Sequence, residues 1–319
     1  MHLLRHQAVP IVVLVLVAGC GRAPATAQPI PLTIATGGPG SAFYPLGLAL
    51  ATLYEERLPG VETTVLTGGS TQNVRAVHSG QAALGFTQAD VAYVAYRLGI
   101  QPDSSPFSDL RGIAMLWMNT VHVVVPRTSR IAHVGELAGR RIAVGTHGSG
   151  TETLARIVLE SYGLSYDTIR PEFLSFTETV DLMRRGALDA AMVVAGVPAD
   201  AIADLSDRPG VRLLPIPRAQ LRTMRAQYPF LQPLVVPADS YAGVDAPVDT
   251  LGVSSLLISR KDADPELVYG MTRALFEALP RLWEVHPAVR LIDPEQAPAT
   301  PIPLHPGAAR YYRERQITQ

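Results

Sequence analysis

Cysteine and lysine each occur once in 319 residues, as Cys20 and Lys261. A lone cysteine excludes an internal disulfide and any C-x-x-C redox or zinc motif, so the fold must rest on its apolar core. There is no H-E-x-x-H and no acidic calcium loop, and no metal or other cofactor is expected. Charge is nearly balanced, at −1 overall, which leaves no electrostatic footprint for nucleic acid. The eight histidines are scattered and supply no convincing base for a Ser/His/Asp arrangement. No enzymatic role is therefore expected. His122, set among valines, is expected to be a satisfied strand histidine rather than a ligand.

Long apolar runs are also missing after the first twenty residues. The run Ile11 to Val17, behind Arg5, is too short to span a bilayer as a helix and reads as an export signal. It ends in Val17-Ala18-Gly19-Cys20, which resembles the bacterial lipobox, in which the cysteine is lipidated and becomes the mature N-terminus. The other reading is an ordinary signal peptide that happens to contain a cysteine. On the lipobox reading, residues 1–20 are removed, Cys20 carries the anchor, and 21–31, rich in Ala and Pro, form a flexible tether. The membrane is then met only through the lipid.

What the mature chain has is a recurring pattern: a short apolar strand, a turn of small polar residues, then a helical period. Leu32 to Thr36 runs into Gly37-Gly38-Pro39-Gly40-Ser41 and a helix from about Tyr44 to Leu58. Val61 to Thr67 runs into Gly68-Gly69-Ser70 and a second helix, and Ala83 to Thr87 into Gln88-Ala89-Asp90 and a third. This order predicts a parallel sheet with helices on both faces, with ligands at the carboxyl ends of the strands. Gly112 to Leu116 and Val121 to Pro126 read as two consecutive strands. A second α/β alternation fills roughly 122–250, with Pro198 suited to the first turn of a helix and 217–250 less regular. Leu251 to Ser259 reads as a strand passing between two lobes. A helix follows from Pro265 to Leu282, with Trp283 packed against the fold.

The stretch around which the chain is organised is Arg141 to Gly163. A strand, Ile142 to Val144, leads into Gly145-Thr146-His147-Gly148-Ser149-Gly150 and a helix stopped by Gly163. Backbone N–H groups and the positive end of the helix dipole would there suit a small anion. A second reading stands beside it: Ser149 with Glu152 fits the S-x-x-E capping box, which satisfies a helix start without any ligand. The loop is neither a P-loop nor a nucleophile elbow. A matching box is Ser175 with Glu178.

Together Ile34-Ala35-Thr36-Gly37-Gly38 with Tyr44-Pro45-Leu46-Gly47, Gly68-Gly69-Ser70 with Asn73, Gly145 with Gly148 to Glu152, Ala195-Gly196 with Pro198, and Leu304 to Tyr312 resemble the TAXI family. These are solute receptors of tripartite ATP-independent periplasmic (TRAP) transporters. The resemblance covers about Leu32 to Tyr312. It implies a type II periplasmic-binding fold with a cleft between two α/β lobes, here 32–121 plus 251–319 and 122–250. It further implies capture of a small organic anion, a glutamate-like amino acid or a dicarboxylate, and delivery to TRAP permease subunits. A ligand-sensing lipoprotein coupled to a membrane kinase or another transporter class is the alternative. The ligand-binding candidates are Ser41, Tyr44, Ser70, Asn73 and Gln88 in the first lobe, and Gly148, Ser149, Gly150, Thr151 and Gly196 in the second. His147 stands where some relatives have a small residue or proline.

Overall fold

The structure, a computed structural model, describes residues 29–38, 41–100, 105–208 and 210–317. Cys20 and the expected signal segment lie outside them, as does most of the expected tether. The tether's last two residues, Ile30 and Pro31, already belong to the first strand, β1 (Ile30–Thr36).

Three strand-turn-helix units open the fold as the pattern predicts: β1 and α1 (Phe43–Arg57), β2 (Val61–Thr67) and α2 (Ser70–His78), β3 (Leu84–Gln88) and α3 (Ala89–Leu98). β1 pairs in parallel with both β2 and β3. The expected pair of strands after residue 110 is instead one strand of 17 residues, β4 (Leu110–Pro126). Its polar middle does not break it, because the Asn119 amide donates to Ser255 Oγ at 2.7 Å and accepts from Trp117 Nε1 at 3.1 Å. A satisfied buried amide is tolerated in mid-strand where an unsatisfied one is not.

The second alternation comprises β5 (Arg141–Ala143), α4 (Gly150–Ser161), β6 (Arg170–Glu172), α5 (Phe176–Arg184), β7 (Ala190–Ala195), α6 (Asp200–Asp207) and β8 (Val211–Leu214). The Ser175–Glu178 box forms as expected: Ser175 N–H donates to Glu178 Oε2 at 2.8 Å, and Glu178 N–H to Ser175 Oγ at 3.3 Å. Pro198 is not in the first turn of a helix. It follows a cis peptide bond and lies two residues ahead of α6. The segment expected to be irregular holds α7 (Arg218–Gln227) and β9 (Gln232–Val236). The chain then returns along β10 (Val248–Arg260), followed by α8 (Pro265–Glu277), α9 (Leu279–Leu282) and α10 (Pro306–Glu314). Trp283, just past α9, stays 42% exposed rather than packed away.

All ten strands join one sheet, in the order β2-β1-β3-β10-β4-β7-β5-β6, with β8 on β4 and β9 on β10. The two long strands run antiparallel through both halves. In one half β10 pairs with β3 and β4. In the other β10 pairs with β9, while β4 pairs with β7 and β8. Helices cover both faces of each half. In the first, α1 and α8 pack a core with Leu46, Leu50, Met271 and Leu275, and α2 and α3 pack Val74, Val77 and Ala92 on the opposite face. In the second, α4 and α7 bury Leu154, Val158 and Leu221, and α5 and α6 bury Val180, Ile202 and Leu205. His122 is a core residue as expected, donating from Nδ1 to Val193 O at 3.2 Å and accepting at Nε2 from Tyr241 Oη at 3.1 Å. Burial pushes its pKa down to about 4, so it stays neutral.

The Leu304 to Tyr312 motif is architectural. His305 caps α10 through Nδ1, which accepts from Gly307 N–H at 3.1 Å. A Cβ on Gly307 would lie 2.3 Å from Pro265 O, so glycine is needed for α10 to lie against α8. Tyr312 Oη donates to Ile113 O at 2.8 Å and ties α10 back to β4.

Candidate functional site

The turn from β5 into α4 relies on two glycines in the left-handed region, Gly145 at φ +88° and Gly148 at φ +70°. Both sequence readings of this turn are partly realised. Ser149 caps the helix, its Oγ accepting from Glu152 N–H at 3.1 Å. The reciprocal bond is displaced by one residue: Glu152 Oε2 accepts from Gly148 N–H at 3.0 Å, while Ser149 N–H donates to Thr146 O at 3.0 Å. The chain's own carboxylate therefore occupies one backbone donor that was expected to hold a ligand. Glu152 is held in turn by Arg156 at 2.6 Å. The N–H groups of Gly150 and Thr151 remain, as the first two of the helix they have no intrahelical acceptor, and the Thr151 side chain stands with them.

Two other helix starts meet this one. Thr71 N–H, in the first turn of α2, donates to Gly148 O at 3.1 Å. A Cβ on Gly69 would sit 2.9 Å from that same oxygen, so the two loops touch backbone to backbone. Gln88, the residue before α3, lays its amide against Gly150: a Cβ there would lie 1.9 Å from Gln88 Oε1. The N-termini of α2, α3 and α4 thus converge from opposite sides of the crossing strands, and their positive dipole ends add at one place. The sequence showed each turn separately; their meeting depends on the crossing of β4 and β10.

The candidates divide accordingly. Ser70, Gln88, Gly148, Ser149, Gly150 and Thr151 are brought together. Asn73 lies beside them but is committed elsewhere: its Nδ2 donates to Thr36 O at 3.0 Å and to Phe86 O at 2.7 Å, fastening α2 to β1 and β3. Its two donors are spent inside the fold, which leaves it a positioning role. Ser41 accepts from Phe43 N–H at 3.2 Å at the start of α1. Neither Ser41 nor Tyr44 is bonded to the three helix starts, and Gly196 faces open space. His147 turns to Phe173, stacked at 3.7 Å between ring centres.

Sequence reasoning passed over Asp90. Its side chain is fully buried in the first turn of α3, and neither carboxyl oxygen has a hydrogen-bond partner of good geometry. Burial raises its pKa from 3.8 to about 7, opposed only by the backbone N–H groups of Val91 and Asp90 itself. Gln88 Oε1 is likewise buried and unpartnered. The available signal was that Asp90 stands in the same arc of α3 as Val91, Ala92 and Ala95, all buried. An open cavity of 710 Å³ lies at the other end of β5 and β7, among Arg130, Arg140, Arg184, Glu136 and Asp189, away from the helix starts.

The profile of the NMT1-like family matches residues 34–315. Among solved structures, one from Bordetella bronchiseptica RB50 is 15% identical with a TM-score of 0.58, covering 90% of this chain and 98% of that one. XAC2383 from Xanthomonas citri, solved with ATP, is 13% identical at a TM-score of 0.54, over 91% and 99% of the two chains. The alkanesulfonate-binding protein SsuA from Xanthomonas axonopodis pv. citri, solved with MOPS, is 19% identical at 0.51, over 92% and 96%. The likeness is one of fold: the mixed α/β architecture of type II periplasmic binding proteins.

Proposed function

We propose, from the premise that this chain belongs to the NMT1-like family and has the type II periplasmic-binding fold, that it is an extracytoplasmic receptor for a small organic anion. Its work is capture and release between two lobes, 32–121 plus 251–319 and 122–250, with no chemistry done on the solute. The observation that carries this reading is the convergence of three helix N-termini around Gly69, Gln88 and Gly150. Elements from both halves of the sheet contribute, so a solute held there would favour the closed arrangement of the lobes. Gly150 and Thr151 N–H supply donors, Ser70 and Thr151 hydroxyls can add to them, and Ser149 holds α4 in register. Ser41, Tyr44 and Gly196 reach the solute only if it extends toward α1 or β7.

The TAXI resemblance extends this reading to a glutamate-like amino acid or dicarboxylate as solute and a TRAP-type permease as recipient. A ligand that binds only the folded state raises its stability by about 2.7 kcal/mol at a hundredfold excess over its dissociation constant. A melting screen of glutamate, glutamine, succinate, 2-oxoglutarate and neutral sugars is therefore expected to single out an acid. Strong stabilisation by a sugar, with every acid inert, would overturn the anion reading. The anchor at Cys20 follows from the sequence alone. Cys20→Ser is expected to move the protein from the membrane fraction to the soluble periplasm; equal solubility of both forms would sink that expectation.

A further inference from the structure

The meeting point of the three helices is short of donors already in use and rich in acceptors that are not. Gly69 N–H donates to Gln72 Oε1, Gly148 N–H to Glu152, Thr71 N–H to Gly148 O, and both Asn73 amide hydrogens to backbone carbonyls. By contrast, Gln88 Oε1 has no partner although the residue is only 5% exposed, and it is directed at the N-terminus of α4. Two residues on, both carboxyl oxygens of Asp90 are unpartnered at 0% exposure. Buried acceptors left unpaired are costly, and in native folds they mark a place where something else supplies the donor.

Charge points the same way. The turns 37–47, 68–73, 87–90 and 145–151 contain no Arg or Lys, and their one imidazole, His147, is stacked on Phe173. Helix starts can hold one carboxylate, but no cation is placed for a second, and Asp90 and Glu152 are already acidic neighbours. We infer that Gln88 is a specificity-determining residue whose amide oxygen accepts a hydrogen bond from an N–H group of the solute. The receptor then prefers an acid that also carries an ammonium or similar donor over an acid that has none. This rests on the organic-anion reading above and narrows it.

The test uses pairs of probes that differ only in the amino group: glutamate with glutarate, glutamine with glutaramate, alanine with propanoate, and leucine with 4-methylpentanoate. Affinities come from calorimetry after a melting screen on the full mature chain. For whichever pair binds, the amino member is expected to bind about tenfold to a hundredfold more tightly, the range for a hydrogen bond to a charged group. In Gln88→Met, which keeps the length and removes the acceptor, that preference is expected to fall to within about twofold. Equal or tighter binding of the desamino member to the native protein overturns the inference. So does a preference that survives in a folded Gln88→Met, or a preference for the desamino member that vanishes there, which would place the amide nitrogen on the solute. If no acid of either kind binds, the organic-anion reading itself fails, and this inference with it.

Discussion

Asp90→Asn is expected to gain stability relative to the native chain as pH rises from 4 to 8, by up to about 4 kcal/mol. The Asp90 carboxyl is buried, and its pKa stands near 7 against an ordinary value of 3.8. The folded state therefore holds a proton that the unfolded chain releases between those two values. This group's favourable contribution is complete below pH 3.8, declines as pH rises, and is gone above about 7, where the carboxylate must ionise while buried. No cation offsets that ionisation; only the N–H groups of Val91 and Asp90 oppose the effect of burial. Asparagine brings an amide that also needs partners, but that cost is the same at every pH, so the informative quantity is the change in the variant-minus-native difference. Denaturant titrations of both proteins at pH 4, 6 and 8 measure it. A difference that stays flat across this range would show that the carboxyl is solvated or paired. A buried acid that weakens the fold at neutral pH, placed two residues from Gln88, fits the trade of stability for function found at binding sites.

The parts of the fold that were legible in the sequence are those set by local chemistry. Alternation of β-branched strands with helical periods gave the three opening units and the second alternation, because each element must bury one face on a common sheet. Ser175 with Glu178 was legible since a capping box needs only residues three apart. What failed was whatever depends on distant partners. Asn119 and Thr120 looked like a break, yet Ser255, 136 residues away, satisfies the Asn119 amide and lets β4 continue. β9 carries Pro233 and reads as a loop, but it is paired only with β10, where a residue without an N–H is tolerated. At the site, Gly148 seemed open to a ligand until Glu152 was found on its N–H, and Asn73 seemed open until its bonds to Thr36 and Phe86 were seen. Residue type marked the right turns. Which donors stay vacant was decided by three-dimensional neighbours.

Gly150→Asp is expected to abolish solute binding, by at least about a hundredfold, while leaving the protein folded. Two effects act together. The new Cβ falls 1.9 Å from Gln88 Oε1, so the Gln88 side chain must leave its place against α4. The new carboxylate then takes the position at the helix start where the solute's acid group is held, and repels any anion that approaches. Stability is protected, since an acidic residue in the first turn of a helix interacts well with the dipole. Gly150→Ala separates the two effects, because it displaces Gln88 without adding charge. Ser149→Ala makes the opposite contrast. It removes the acceptor for Glu152 N–H and is expected to cost the fold about 1 kcal/mol, the usual worth of an N-cap, with affinity changed no more than about tenfold. Calorimetry with the acid found by the melting screen, alongside denaturation of each variant, ranks the three. Should Ser149→Ala lose all binding while a folded Gly150→Asp binds normally, the anion is held by the Ser149 hydroxyl and not by the backbone donors of α4.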